Sequence, residues 1–502
     1  MQASVQAVVT RQVHTAGAAP ACETDERQPE RHAPTVGPRR VPQRAIELVG
    51  IAFGIAIIAA VALGYQLSND VFWSLAAGQW MLTHHSFMGL DPFSYTESHH
   101  RWVTDEWGSE IVLAEMYRIF GNAAYALYAI VLGGLSLFIT AAYARALGAR
   151  GGRVAAIVLV LAMGISGILA GDRGLDFSLV WLPLELLILT KARANPRWLW
   201  CLVPLSVVWV NTHGSILIGL IVLGVELGWS LVPERFVTRI GGVGQAAHTR
   251  PLALTLVGCV LAACVTPYGP GLLVYDVGVS QNGQIAQYIN EWSSPDFHSI
   301  AVLLAYLVPL AILAAVVWIR RVPLLEGSLA AALFIEALRT QRLAIYLMLV
   351  GAGLAATLPL RPLWSSTARR VAAACYAVLA IALLAAPSVP AGSVSPTLPV
   401  QAFNYLENHP GRVFTEYTWG DYSIARHRAT FADGRTDLFE GNVLTQFFAI
   451  NDLSINPDPV FSEYHVSYVV WAPNTGLSLY LARDPRWQVV DRSRVAWVFE
   501  RR

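Results

Sequence analysis

The chain has 502 residues, of which 55% are hydrophobic and only 14% are charged, and its mean hydropathy is +0.48. This is more apolar surface than one soluble core can bury, so the composition predicts a membrane protein. A net charge of +1 provides no electrostatic basis for binding nucleic acid. Five cysteines are too few for a disulfide framework.

The N-terminal residues 1–42 mix Ala, Pro, Thr, Glu and Arg without apolar periodicity, which predicts a disordered cytoplasmic tail. The first apolar run, 46–67, is long enough to span a bilayer, and arginines precede it. We therefore interpret it as a transmembrane helix and not as a cleavable signal peptide. A long polar loop rich in aromatic residues, 67–121, follows this run.

Eleven apolar runs of helix-spanning length predict a transmembrane domain over 43–390. Arginines recur in every second connection between these runs, which places the N-terminus in the cytoplasm. The loop 67–121 and all residues after the last run are then expected on the outer side of the plasma membrane. The runs lie near 46–67, 122–144, 154–171, 176–190, 198–210, 214–232, 251–266, 299–319, 322–338, 342–360 and 370–387.

The C-terminal part, 391–502, regains charged residues and alternates short β-rich runs with helical patterns. We predict a small extracytoplasmic α/β domain, linked to the membrane part through a Pro- and Ser-rich segment. The last two strands are separated by DRSR, which predicts a hairpin. The predicted strands are 412–417, 429–432, 466–471, 487–490 and 495–499, and the predicted helices are 400–408 and 443–451.

Asp70 is the first candidate for catalysis, because it opens the outer loop directly after the first predicted span. A carboxylate at the mouth of a cavity loses solvation, so its pKa rises and it can accept a proton from an attacking hydroxyl. The alternative is an N-cap for the helix that follows. Asp105 and Glu106 are candidates for the substrate site or for capping the next helix, whereas Asp91 before a proline favours a turn.

Three arginines near the outer face have no topogenic role there: Arg173, Arg339 and Arg342. Because a guanidinium binds two phosphate oxygens at once, these residues are candidates for holding a lipid phosphate. The alternative is ion pairing, with Asp172 or Asp176 for Arg173 and with Glu336 for Arg339.

Other polar residues interrupt apolar sequence at the outer surface. Asn211 and His213 in WVNTHGSILIG could hydrogen-bond a sugar or a phosphate, or each other across a turn. Glu291 beside Trp292 resembles part of a lid, although interfacial anchoring also explains the tryptophan. The histidine pairs 84–85 and 99–100 lack a third fixed ligand, so we expect no metal site there. Glu185 lies inside an apolar run, far from the outer loops.

The first loop contains the sequence motifs DVFWSLAAGQW, DPFSYT and WVTDEW. They are similar to those of bacterial members of the GT-C superfamily of polyprenyl-phosphate-dependent glycosyltransferases. Asp70 matches the position of the catalytic base of that family. The text VFTEYTWGDYSIARHRATFADGRTD resembles the W-W-D-Y-G region of oligosaccharyltransferase catalytic subunits, with Trp419, Asp421 and Tyr422 matching loosely. Where that family keeps a metal-binding acidic motif, this chain has GDRGLD, so the resemblance does not extend to a metal requirement.

The resemblance implies a polytopic helical membrane enzyme that transfers a sugar, with inversion, from a polyprenyl-phosphate donor to a lipid or cell-envelope glycan. Because ATP and sugar nucleotides are absent outside the cell, a donor used there must be lipid-borne. Trp73, Trp102 and Trp107 could stack on sugar rings or anchor the loop at the interface. The alternatives are a flippase or transporter for a lipid-linked glycan, a glycan polymerase or ligase, and a non-catalytic assembly partner.

Overall fold

The structure is a computed structural model that describes residues 42–67, 70–171, 174–244, 248–359, 389–390, 392–439 and 441–502. Ten of the predicted apolar runs coincide with helices, whereas the run 370–387, the tail 1–41 and Arg173 lie outside the described residues. The helices of the part from Pro42 to residue 359 are α1 (Gln43–Gly64), α2 (Val71–His84), α3 (Trp107–Phe120), α4 (Ala123–Ala146), α5 (Gly152–Leu169), α6 (Leu175–Ala192), α7 (Leu202–Val210), α8 (Ile216–Leu231), α9 (Glu234–Arg239), α10 (Thr249–Ala262), α11 (Gly271–Gln281), α12 (Gly283–Tyr288), α13 (Ile300–Trp318), α14 (Leu324–Arg339) and α15 (Ala344–Thr357).

Three of these helices, α1, α4 and α5, are both long and apolar enough to cross a membrane. Several others are apolar but shorter, among them α8, α10 and α15. Helices such as α5, α8 and α13 leave large apolar side chains on their outer surface, including Val160, Ile221 and Ile300. Such exposed apolar surface suits a lipid environment. The count of eleven spans stays a prediction.

The predicted run 198–210 is not one regular α-helix. A 3₁₀ segment, Pro196–Cys201, precedes α7. Pro204 has no N–H to donate to the carbonyl of Trp200, so one hydrogen bond of a regular α-helix is missing at this point. The prediction located the apolar segment correctly and missed this interruption.

The first outer loop forms two helices, α2 and α3, that pack against each other. Gly78 on α2 permits this close approach, because a Cβ there would lie 2.1 Å from the carbonyl oxygen of Glu110 on α3. An isolated parallel bridge between Leu67 and Val394 joins the start of the loop to the segment that leads into the C-terminal region. The loop and the C-terminal region therefore meet where the loop begins.

The C-terminal region contains a four-stranded sheet with helices around it, in agreement with the predicted α/β composition. The strand order is β3-β4-β6-β5, in which β3 and β4 are parallel and the other pairs antiparallel. The predicted hairpin is formed by β5 and β6. The elements are α16 (Val400–Leu406), β3 (Arg412–Thr415), α17 (Tyr417–Ala425), α18 (Asn442–Asn451), α19 (Pro457–Glu463), β4 (Val466–Trp471), α20 (Gly476–Arg483), β5 (Trp487–Arg492) and β6 (Trp497–Arg501), and two short strands elsewhere, β1 (Gly242–Val243) and β2 (Val322–Pro323), pair in parallel.

Two details of the C-terminal prediction were wrong. The segment 429–432 is not a strand, because only Thr430 forms isolated bridges, to Ser94 of the first loop and to Val413 of β3. Strand β3 ends at Thr415, and the chain turns directly into α17. The segment 429–432 is apolar because it is buried between the sheet and the first loop, and burial alone does not make a strand.

Polar clusters that the sequence did not indicate also lie at the helix ends far from the first loop. Arg193 donates to Glu226 across 3.1 Å, and the hydroxyl of Tyr143 donates to Glu326 across 2.9 Å. Glu226 and Glu326 are both buried, with 2% and 0% of their surface exposed. Each acid stands alone in an apolar run, and its partner is far away in sequence, so the sequence did not reveal the pairing.

Candidate active site

Two carboxylates from opposite ends of the chain face each other across a glycine. Asp70 begins α2 and Asp421 lies in α17, and one oxygen of each would lie 2.9 Å from a Cβ placed on Gly434. The Gly434 N–H donates to Asp421 across 2.6 Å. Burial, and then the negative charges of Asp70 and Asp433, raises the pKa of Asp421 well above its ordinary value. This environment favours the protonated form of Asp421.

The Asp70 side chain does not cap α2, although the residue occupies the N-cap position. It accepts a long hydrogen bond of 3.4 Å from the indole nitrogen of Trp73. The ring of Tyr422 packs edge-on against Phe72 of α2 with the centroids 5.4 Å apart. This contact holds α2 and α17 together, so the two carboxylates are positioned by packed helices.

Trp419, Asp421 and Tyr422 are all buried, with at most 6% of their surface exposed. The Tyr422 hydroxyl accepts a hydrogen bond from Arg426 across 3.0 Å. These contacts give Trp419 and Tyr422 a packing role, whereas Asp421 reaches the carboxylate pair. Their predicted part in binding substrate stays a prediction.

A buried arginine locks the loop that carries Gly434 onto the first outer loop. Arg435 donates to Asp91 across 2.6 Å and to both oxygens of Asp433, at 2.8 and 2.6 Å. All three side chains are at most 1% exposed. Burial opposes the charge of Arg435, but the two carboxylates outweigh that effect and raise its pKa. The guanidinium also lies 4.5 Å from the ring centroid of Trp102.

Asp91 also forms the turn expected from its sequence, because its carboxylate accepts the backbone N–H groups of Phe93 and Ser94 at 3.0 and 2.8 Å. The sequence missed its second role as the partner of Arg435, which is more than 300 residues away. The only available signal was an arginine between two aspartates in FADGRTD, and nothing in one sequence showed that this segment reaches the first loop.

His213, Glu106 and Arg342 form a second polar group. The Nδ1 atom of His213 accepts the N–H of Ser215 at 2.9 Å, so the neutral ring carries its proton on Nε2 and donates to Glu106 at 3.1 Å. Burial, and then the charge of Arg342, lowers the pKa of His213 well below its ordinary value. Arg342 lies 3.4 Å from the same ring and 5.2 Å from the ring centroid of Trp292. Among the described residues, no carboxylate forms an ion pair with Arg342.

Several further carboxylates lie around this group. Burial, and then the charges of its neighbours led by Glu106, raises the pKa of Asp105 well above its ordinary value. Asp437 accepts a short hydrogen bond from Tyr275. Glu106 occupies the N-cap position of α3 without capping it through its side chain, so the expected capping role of this acid is wrong. Asp105 and Glu106 instead belong to an acidic region between the loop, α11 and the segment 433–437.

Asn211 is held in place by the fold. Its amide accepts the indole N–H of Trp107 at 2.8 Å and donates to the carbonyls of Val207 and Val265 at 2.7 and 2.8 Å. The two residues predicted as a pair therefore have different roles. Asn211 links α3 to α7, whereas His213 contacts Glu106 and Arg342. A substrate role for Asn211 stays a prediction.

The remaining candidates lie away from the carboxylate pair. Arg339 is exposed and pairs with Glu336 at 3.3 Å, the alternative that its sequence allowed. Glu291 lies in a short 3₁₀ turn, Asn290–Trp292, next to the tryptophan that Arg342 covers. In the part of the chain that the structure describes, no group of three or more His, Cys, Asp or Glu side chains could hold a metal ion.

The fold of the helical bundle with its C-terminal sheet region is similar to the folds of two solved proteins. The archaeal oligosaccharyltransferase AglB from Archaeoglobus fulgidus, in complex with an inhibitory peptide and a dolichol-phosphate, is similar with a TM-score of 0.59 and 15% identity over 86% of this chain and 69% of its own. ArnT from Cupriavidus metallidurans, bound to undecaprenyl phosphate, is similar with a TM-score of 0.56 and 15% identity over 91% of this chain and 98% of its own.

No family model matches the chain, and no curated protein matches it. At such low identities the likeness establishes the fold. The GT-C fold predicted from the sequence of the first loop is therefore confirmed.

Proposed function

We propose that this protein is an inverting glycosyltransferase that moves a sugar from a polyprenyl-phosphate donor to a lipid or cell-envelope glycan on the outer face of the plasma membrane. The observation that carries this proposal is the half-buried Asp70 carboxylate, which faces Asp421 inside a GT-C fold. Asp70 is the base that takes the proton from the attacking hydroxyl. A buried neighbouring carboxylate can hold or release a proton as the reaction proceeds.

Arg342 is the residue that supports a phosphate-bearing donor best. It is half-buried, it carries a permanent charge, and its guanidinium lies beside the N–H side of His213 and over Trp292. Such a guanidinium stabilises the negative charge that grows on a departing lipid phosphate. The two similar solved proteins are named as complexes with dolichol-phosphate and undecaprenyl phosphate, which supports a lipid phosphate as part of the donor. Arg339 and Arg173 are proposed as weaker contributors.

The proposed orientation places the N-terminus in the cytoplasm and the carboxylate pair outside. It follows from the arginines in alternate connections of the sequence. In this orientation the C-terminal region covers the site and helps to select the acceptor. No metal cofactor is proposed, because the chain has GDRGLD where the resembled family keeps an acidic motif.

A flippase for a lipid-linked glycan is the second candidate, and one specific observation favours it. The buried pairs formed by Arg193 with Glu226 and by Tyr143 with Glu326 put charged groups near the cytoplasmic end of the bundle, as a path through both leaflets requires. A transferase needs its charged groups only at the outer end. Transbilayer movement of the lipid without transfer of the sugar would favour this candidate.

The experiment uses the purified full-length protein in lipid vesicles, a radiolabelled polyprenyl-phosphate sugar and membranes of the source cell as acceptor. We expect transfer by the wild type and a loss of about 100-fold or more in the Asp70→Asn variant. Asp452→Asn changes an exposed aspartate of the C-terminal region and serves as the matched control. Equal transfer by the wild type and the Asp70→Asn variant, with both folded, would remove Asp70 from the mechanism.

A further inference from the structure

An open groove lies between the C-terminal halves of α2 and α17, on the side of the site that the proposed chemistry does not use. Its volume is about 330 Å³, within the range of about 300–1,000 Å³ that is typical of small-molecule sites. The first outer loop and the C-terminal region each contribute one wall. Its polar and aromatic lining includes Gln79, Trp80, Thr83, His84 and His427.

The lining has the chemistry of a surface that recognises sugars. The rings of Trp80 and His84 stack with centroids 4.1 Å apart and an interplanar angle of 14°. Flat rings pack against the apolar faces of a pyranose, while amides and hydroxyls bond its hydroxyl groups. Gln79 is exposed, and its side-chain amide makes no hydrogen bond to any described residue. The Thr83 hydroxyl donates to the Gln79 carbonyl at 2.8 Å and can still accept a hydrogen bond.

The groove presents no carboxylate and no free guanidinium to a ligand. Both walls include the C-terminal end of a helix, where the backbone dipoles present partial negative charge. Just after the two helices, His85 and His427 adopt left-handed φ angles of 50° and 54°. The one guanidinium in the lining, Arg428, already donates to the carbonyls of Gly411 and Leu406 at 3.1 and 2.6 Å. A neutral, hydroxyl-rich molecule fits these groups best.

The groove and Asp70 lie along the same helix, α2. Ala76, at its near end, follows Asp70 by six residues, which corresponds to about 9 Å of helix. Trp73 lies between them and donates to Asp70. An extended molecule that occupies the groove can therefore place one hydroxyl at Asp70 while the rest of it lies against Trp80.

We propose that the groove between α2 and α17 binds a neutral saccharide portion of the acceptor. This inference rests on the proposed transferase function and adds the chemical class of the acceptor: a glycan or glycolipid whose sugars next to the reacting unit carry no charge. The lipid-borne donor binds elsewhere, at Arg342. Recognition of the acceptor is thus shared between the first loop and the C-terminal region.

The test measures how transfer depends on each substrate separately, in the full-length protein with the labelled donor and source-cell membranes. We expect Trp80→Ala and the double variant Gln79→Ala with Thr83→Ala to raise the acceptor concentration for half-maximal transfer at least tenfold. The dependence on donor should change by less than twofold. Trp80→Phe should retain most acceptor binding, and Phe120→Ala, an exposed aromatic away from the groove, should behave as the wild type.

A binding measurement that needs no turnover accompanies the kinetics. A photo-crosslinking benzoylphenylalanine at position 83 should capture carbohydrate-positive material in cells, and the same group at position 120 should not. Normal transfer with an unchanged acceptor dependence in Trp80→Ala, or adducts that contain only lipid or protein, would overturn the groove proposal and leave the transferase intact. Absence of transfer by the wild type would instead refute the proposed function.

Discussion

Replacing Arg435 by methionine should separate the C-terminal region from the first outer loop. The change leaves Asp91 and Asp433 buried, with no exposed surface on either side chain, and without the cation between them. Removing one partner of a buried ion pair costs about 3–5 kcal/mol, because the remaining charge is desolvated and uncompensated. Here one guanidinium serves two carboxylates, so we expect the upper part of that range.

The loss of free energy in Arg435→Met can be measured as local opening of the C-terminal region under native conditions. A loss of about 3–5 kcal/mol raises the population of the open state roughly 100- to 4,000-fold. Limited proteolysis of the protein in lipid, followed at the C-terminal region, should accelerate accordingly until global unfolding limits the rate. Sugar transfer should fall in parallel, because Gly434 and its neighbours keep the carboxylate pair together.

Two further variants make this reasoning refutable. The triple variant, with Arg435→Met, Asp91→Asn and Asp433→Asn, removes the stranded charges and should recover part of the protection. Arg118→Met breaks an exposed pair with Glu115 and should cost no more than about 1 kcal/mol. Proteolysis of Arg435→Met at the rate of Arg118→Met, or no recovery in the triple variant, would show that this ion network does not hold the two parts together.

Four further outcomes are expected. Gly434→Ala should reduce transfer at least tenfold, because its Cβ would meet both carboxylates at 2.9 Å, whereas Gly278→Ala has no heavy atom within 4 Å to meet and should leave transfer unchanged. Arg342→Gln should weaken donor binding about 10- to 100-fold, and Arg339→Gln should have a smaller effect because that residue is exposed and already paired. Burial and two neighbouring carboxylates raise the pKa of Asp421 above 3.8, so its contribution to stability is full below that pH and is lost as the pH rises through the native pKa. The loss of stability measured between about pH 4 and 7 should therefore be smaller in Asp421→Asn than in the wild type, since other acids whose pKa is raised by burial, such as Asp105, are present in both proteins. Incubation with EDTA should change the transfer rate by less than twofold, and loss of activity that Mg²⁺ or Mn²⁺ restores would contradict the absence of a metal cofactor.

The local features of the fold could be predicted from the sequence because they depend on short-range patterns. Continuous apolar runs located α1, α4 and α5, and a short run rich in Val, Tyr and Trp located β4. The interruption before α7 could not be read from Pro204 alone, since α6 and α13 stay continuous although they contain Pro183 and Pro309. The apolar run gave no indication of the 3₁₀ segment.

The candidate site was only partly predictable, because its contacts join distant segments. Asp70 stood out by its position after an apolar run, and Asp421 by a resemblance in the C-terminal region. That the two meet across Gly434 depends on the packing of α2 against α17, which leaves no local trace in the sequence. The same holds for Arg435 and Asp91, whose pairing required tertiary structure.

The meeting of Asp70 with Asp421 also has a consequence for biosynthesis. About 350 residues separate the two carboxylates, so at roughly 5–20 residues per second the ribosome needs roughly 20–70 s to add the second after the first. During that interval the membrane helices are inserted, and the first loop is not yet covered by the C-terminal region. Under the proposed function, the nascent protein is inactive until its last hundred residues have been made and folded, and truncated products lack transferase activity.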